Sequence, residues 1–311
     1  MLPCMVPKPA DTTRRLLEDQ IVRLWGEGRT ELVAANYAPD VIDHMPVPGQ
    51  PEGLEGMAQV VRDFRSGLPD MAMTLHGTIV NGDHGCDFWT LRATNTGPLF
   101  ARPATGRAIE ISGIDMIRTR GGRIAELWHV EEMLQMGAQL GHAADAPDAS
   151  PGSDTPACAD GPAPDTWTPD PATLTEPGRR NLAIARAHIE QVRATGSHHV
   201  AHRLYAPDVV DRNPAPGQGP GIGGMLGSFG RMHEAVPDLH VTIGNILVEN
   251  ALAAARWTMT GIHTGAPLMG MSPRRRPIRI HGMDVIHVRD DGLIDWVFHV
   301  AELAQLRAQI A

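Results

Sequence analysis

One stretch of this chain is written twice. The run YAPDVIDHMPVPGQPEGLEGM, from Tyr37 to Met57, returns as YAPDVVDRNPAPGQGPGIGGM, from Tyr205 to Met225, with 13 of 21 positions identical at a constant offset of 168. Solenoid and propeller units span only roughly 20–50 residues, so a repeat on this scale means that a complete folding unit, core included, was duplicated and fused. A chain of 311 residues has room for two such units. Between them, Ala143 to Glu176 is rich in Pro, Ala and Asp and poor in apolar periodicity, the composition of an extended linker. The expected division is a first domain at 11–142, a linker at 143–176 and a second domain at 177–311.

Each half carries the same order of signals. A helical stripe opens it, with Leu17, Ile21 and Leu24 in one copy and Leu182, Ala185, Ile189 and Val192 in the other. The Tyr-Ala-Pro-Asp segment and a Pro/Gly loop follow, then a short helix near Met57–Phe64 or Met225–Met232 that ends before a Leu-Pro-Asp or Val-Pro-Asp turn. Four strand-like runs come next: MTLHGTIV, FWTLRAT, IEISGIDMIRT and IAELWHV, matched by LHVTIGNILV, AARWTMTG, IRIHGMDVIHV and LIDWVFHV. Helices first and consecutive strands afterwards define an α+β class with antiparallel pairing, because parallel pairing would need intervening helices. The expected architecture is two tandem cone-shaped α+β barrels, each a curved, mixed but mainly antiparallel sheet wrapped on helices around one pocket and closed by an amphipathic tail.

The last hairpin yields the sharpest expectation. In the second copy Asp291-Gly292 is a strong two-residue turn signal, which makes Asp290 face Leu293 and, counting outward, pairs Asp284 with His299. The first copy has Gly121-Gly122-Arg123, suited to a three-residue loop with Arg120 facing Ile124, and this pairs Asp115 with His129. Two turn lengths thus give one cross-strand Asp–His pair. Period-two alternation sets Asp115 beside Ile109, Ile111 and Ile117, and Asp284 beside Ile278, Ile280 and Ile286. A carboxylate in such company is costly unless paired. A histidine held by it keeps one tautomer, gains basicity and can take a proton near neutral pH; the alternative is an ion pair that only supports the sheet.

Charge and composition narrow the partners. The chain has 27 basic and 36 acidic residues, net −9, and no basic block beyond Arg274, Arg275 and Arg276, so nucleic acid is not expected as a partner. The start lacks a signal-peptide core and no apolar stretch approaches the roughly 18 residues of a membrane helix, so a soluble cytoplasmic protein with no membrane partner is expected. Cys4, Cys86 and Cys158 are odd in number and unrelated to the repeat, which suggests two loop thiols and one strand thiol rather than a disulfide or metal framework.

The opening helix, the YAPDVIDH segment, Thr260-Gly261-Ile262-His263-Thr264-Gly265 at a strand end, GIDMIR at Gly113–Arg118, GRIAELW at Gly122–Trp128 and the terminal QLG at Gln139–Gly141 together resemble the SnoaL-like polyketide cyclase (ester cyclase) group of the nuclear transport factor 2-like superfamily. The resemblance covers nearly all of each domain. It implies metal- and cofactor-free intramolecular aldol chemistry on a polyketide-like substrate, and a paired sheet face that fusion would turn into an internal pseudo-dimer, with further homo-oligomers open. In that family the hairpin pair has His on the first strand and Asp on the second; here Asp115 and Asp284 take the His position, and His129 and His299 the Asp position. The expected catalytic residues are therefore Asp115, His129, Asp284 and His299. His44, replaced by Arg212 in the second copy, is a further pocket residue by this resemblance. Tyr37, Tyr205, Trp89, Trp257, His263, Glu132 and Glu302 complete the expected substrate-binding set. Glu132 and Glu302 form His-x-x-Glu with the hairpin histidines, too few ligands for a metal site, and His198, His199 and His202 read as a solvated helix end. Dehydratase or double-bond isomerase chemistry, and a non-catalytic small-molecule-binding module, remain alternatives at this stage.

Overall fold

A computed structural model describes residues 8–47, 49–142, 166–215 and 217–311. The linker expected at 143–176 lies outside the described residues as far as position 165, as do Cys4 and Cys158. Residue contacts divide the chain into two compact units that largely, but not wholly, follow the two copies.

In the first unit, α1 (Pro9–Glu18) begins with proline in its first turn, where the missing N–H costs no hydrogen bond, and runs into a π-helical segment at Asp19–Gly26. Leu16, Leu17, Ile21 and Leu24 along this helix are fully buried, which fulfils the expected stripe. After α2 (Glu31–Asn36), β1 (Tyr37–Asp43) and α3 (Gly53–Gly67) come β2 (Ala72–Asn81), β3 (His84–Thr94), β4 (Ala108–Arg120), β5 (Arg123–Glu131) and a terminal α4 (Met133–Leu140). The sheet order is β1-β5-β4-β3-β2.

The second unit repeats the plan. α5 (Glu176–Ala187), a π-helical segment at His188–Arg193, α6 (His198–Leu204), β6 (Tyr205–Asp211) and α7 (Gly221–Ala235) precede β7 (His240–Glu249), β8 (Leu252–His263), β9 (Arg276–Val288), β10 (Ile294–Ala301) and α8 (Leu303–Ile310). Its order is β6-β10-β9-β8-β7. Among the described residues the chain is thus an α+β protein with two five-stranded sheets, the class the sequence predicts.

Each sheet is mixed but mainly antiparallel, as expected. β1 runs parallel to β5, with Asp43 beside Leu127, and β6 parallel to β10, with Asp211 beside Val297. The helices that make this crossover possible precede the meander instead of alternating with its strands, so the order of elements does not say which strand runs parallel.

The inner faces follow the alternation. Ile109, Ile111, Ile117 and Asp115 are buried, as are Ile278, Ile280, Ile286 and Asp284. Trp89 lies opposite Gly113, where a Cβ would stand 2.2 Å from the indole, and Trp257 lies opposite Gly282, where a Cβ would stand 2.1 Å from it. Each glycine is the space into which a tryptophan is laid.

The two hairpin turns exchange their expected lengths. In the second unit Arg289 N–H donates to Leu293 O, closing a three-residue loop, and an irregularity between Ile294 and Trp296 then restores the expected register of His299 opposite Asp284. Only Gly292 takes positive φ there; Asp291 instead accepts the Leu293 N–H with its carboxylate, which favours the longer loop. In the first unit Gly121 and Gly122 both have positive φ, +60° and +77°, and form a two-residue turn between β4 and β5.

Candidate functional site

The floor of each site is a buried inward aspartate, and the π-helical segment supplies its partners. Asp284 receives two-pronged bonds from Arg193 (Nε at 2.9 Å; Nη2 at 2.9 and 2.7 Å), one from His188 Nε2 at 2.7 Å and one from Trp257 Nε1 at 3.0 Å. Burial disfavours its charge, but Arg193 and His188 overrule that and hold the carboxyl well below the ordinary range. His188 and Arg193 are five residues apart, a spacing that the wide π turn brings to one side, and such turns gather at functional positions. Burial holds the His188 imidazole below its ordinary value, against the opposing pull of Asp284. A neutral ring that donates from Nε2 accepts at Nδ1, and Tyr205 Oη supplies that bond at 2.6 Å.

The first unit builds the same relay from an amide. Gln20 Nε2 donates to Asp115 at 2.6 Å, and Tyr37 Oη donates to Gln20 Oε1 at 2.7 Å. Gln20 stands 168 residues before His188 and reproduces its donor and acceptor without a titratable group. In place of Arg193 there is Trp25, packed edge-on against Phe64.

A histidine on the last strand completes each set. His129 Nε2 meets Asp43 Oδ1 at 3.1 Å, and His299 Nε2 meets Asp211 Oδ2 at 3.0 Å. Each aspartate is braced by a glutamine from the following loop, Gln50 at 2.8 Å and Gln218 at 2.5 Å. A backbone amide adds a third bond: Met45 to Asp43 at 2.9 Å and Asn213 to Asp211 at 3.0 Å. Burial raises the Asp43 and Asp211 carboxyls, yet the histidines and these bonds together hold both below the usual carboxylate range. The histidine side chains keep 16% and 15% exposure, so the rings are reachable beside buried acids.

These contacts amend the expected Asp–His pairs. The register of Asp284 with His299 is as expected, and His299 adds to the field on Asp284. The Nε2 bond of each ring, however, goes to the β1 or β6 aspartate. Parallel pairing of β1 with β5 brings that residue alongside, and Asp43 and Asp211 are the histidine partners the sequence reading missed. Their signal was present: both are identical in the repeated segment.

Other expected site residues disperse. Tyr37, Tyr205, Trp89 and Trp257 are buried, the tyrosines in the relay and Trp257 on Asp284. His44 bonds Glu126 at 3.0 Å and stacks on Trp128 at 4.4 Å, while Arg212 lies 4.0 Å over Trp296. Glu126 and Trp128 alternate with His129, so His44 belongs to the other face of β5; the same alternation separates Arg212 from His299. A histidine or arginine just past the end of β1 or β6 finds the nearest aromatic, and that aromatic is on the outer face. His263 lies eight residues along β8 from Ala255, the residue facing Asp284, and holds its own loop through Ala266 O at 3.0 Å. Glu302 accepts the His281 N–H at 2.7 Å at the start of the last helix, and Glu132 directly precedes α4. His198, His199 and His202 are exposed on α6. Among the described residues no group of three or more His, Cys, Asp and Glu is placed to hold a metal, and no helix is long and apolar enough to cross a membrane.

The profile of SnoaL-like polyketide cyclases matches residues 15–140 and again 183–310, and the chain belongs to that family as a tandem pair of its domains. Among solved structures, TsrD from Streptomyces laurentii is 27% identical over 42% of this chain and 96% of its own, with a TM-score of 0.39. IdmH from Streptomyces antibioticus, described as a candidate polyketide cyclase, is 31% identical over 43% of this chain and 99% of its own, with a TM-score of 0.37. No curated protein matches the chain.

Proposed function

We propose that this chain is a cofactor-independent cyclase that closes a ring in a polyketide-like carbonyl compound by intramolecular aldol chemistry. His129, and His299 in the second domain, removes the proton beside a carbonyl; the enolate carbon then attacks a second carbonyl of the same molecule. Asp43 and Asp211 orient the imidazoles and stabilise the imidazolium that forms. The observation that carries this reading is the repeated His–Asp–Gln chain, His129–Asp43–Gln50 and His299–Asp211–Gln218, above a buried inward carboxylate. A reachable imidazole braced by a charged acid is the arrangement a general base needs, and a positioned base contributes about 10²–10⁴-fold. The apolar inner faces supply the folding of the substrate that makes the attack intramolecular.

The test is turnover of a linear poly-β-ketone by the full chain. The His129→Ala, His299→Ala double variant is expected to lose conversion by at least about a hundredfold while retaining ligand binding. Unchanged turnover in that variant rules out the base assignment. Binding without conversion by the unaltered protein leaves a small-molecule-binding module in place of an enzyme.

A further inference from the structure

The first domain holds an acid that the second lacks. Asp87 on β3 stands directly across from Asp115 on β4, and residues so paired have Cβ atoms about 4.5–5.5 Å apart. Asp87 is 0% exposed and Asp115 4%. Burial first, and then the charge of Asp115, push the Asp87 carboxyl well above its ordinary range. Among the described residues neither oxygen of Asp87 makes a hydrogen bond, and the indole N–H of Trp89, on the same strand face, has no acceptor. The second domain differs at every one of these points. Ala255 faces Asp284, Trp257 spends its N–H on that carboxylate, and Arg193 pins it as an ion.

The groups around the pair are few. From β1 comes Tyr37, which burial and the nearby aspartates hold in its phenol form, and from the π-helical segment the uncharged Gln20. Arg14 on α1 bonds Thr78, the β2 residue opposite Asp87. Cys86 adjoins Asp87 and is kept a thiol by burial, Asp87 and Asp115. β5, next to β4, carries His129.

We propose that Asp87 and Asp115 hold one proton between them, and that Asp87 thereby acts as a positioning residue that keeps Asp115 able to donate it to the substrate. This rests on the acid/base reading above. The step balances within the site. His129 takes the proton from carbon, the C–H electron pair forms the new C–C bond, and the attacked carbonyl passes its π pair to oxygen. That oxygen takes the proton of Asp115, and protonated His129 returns its own to the carboxyl pair. The second domain, with Asp284 held as a carboxylate by Arg193, has no such proton to give.

The experiment is a pH titration of the full chain labelled with carboxyl-¹³C aspartate, followed by NMR. Aspartate signals that titrate above about pH 6, far from the ordinary value near 4, are expected in the unaltered protein. They should vanish in Asp87→Asn and in Asp115→Asn and persist in Asp284→Asn. No aspartate titrating above that pH, or its survival in both first-domain variants, overturns the shared proton. On a linear poly-β-ketone, Asp87→Asn is expected to lower kcat with KM kept and to move the alkaline limb of the rate profile down by about one pH unit or more. A limb that stays put overturns the role of Asp87 while leaving the pair intact. The titration needs no substrate, so its outcome is independent of whether the histidine double variant keeps or loses turnover.

Discussion

Asp115 and Asp284 occupy corresponding places in the two sheets, yet one is bonded by an amide and the other by a guanidinium and an imidazole. Removing one partner of a buried ion pair leaves an uncompensated charge, which typically costs about 3–5 kcal/mol, whereas loss of one neutral donor costs about 1–3 kcal/mol. Arg193→Met is therefore expected to destabilise the second domain by about 3–5 kcal/mol and Gln20→Leu the first by about 1–3 kcal/mol, read from the separate transitions in urea unfolding. Equal losses would mean that Arg193 is solvated more than its burial implies. At this scale the sequence exposed half the site. The facing of Asp284 with His299 agrees with the count from the turn only through compensation, since the loop is one residue longer than its residue types indicate and the irregularity at Ile294–Trp296 absorbs the difference. Their hydrogen-bond partners could not be placed that way, because Arg193, His188 and Asp211 reach them from elements far away along the chain.

At the scale of elements, glycines and turns carry the most information. Gly113 and Gly282 each face a tryptophan at a distance no Cβ tolerates. Gly113→Ala and Gly282→Ala are each expected to cost about 1–3 kcal/mol through overpacking, with a lower melting temperature and altered tryptophan fluorescence as the readout. Unchanged melting would show that the indole can swing aside. The hairpins teach a different lesson. Asp291-Gly292 reads as a two-residue turn from residue types alone, but the Asp291 carboxylate caps the Leu293 N–H and a three-residue loop results. The register survives because the strand irregularity at Ile294–Trp296 absorbs the extra residue. The π-helical segments leave no trace in a pattern of apolar residues, since a single wide turn shifts that pattern too little to read.

Across the whole molecule, the two domains differ in how they answer to pH. His188 and His281 have folded pKa values below the unfolded value near 6.5, His281 about 4, in both cases mainly through burial. Groups depressed in this way add stability above the unfolded pKa and lose it as the pH falls toward the folded one. The second domain is thus expected to weaken between about pH 6.5 and 4. Asp87 has the opposite sign: its folded pKa is raised, so its contribution is full below about pH 4 and is lost as the pH climbs toward the folded value. It opposes the acid-side loss that buried His84 brings to the same domain. Calorimetry from pH 7 to 5 is expected to show the second domain's transition falling further than the first's. Asp87→Asn should raise the first domain's melting temperature more at pH 7 than at pH 4; an equal shift at both would deny the raised pKa.

The sequence by itself determined the duplication, the α+β order of elements and the inward set of isoleucines. All of these follow from local periodicity or from comparing one copy with the other. Only the tertiary structure decided that β1 and β6 lie parallel to the last strands, that Asp43 and Asp211 take the histidine bonds, and that Asp87 faces Asp115 where the other copy has Ala255. Those choices depend on which distant segments share one low-dielectric interior, where a charge must find its partner through space.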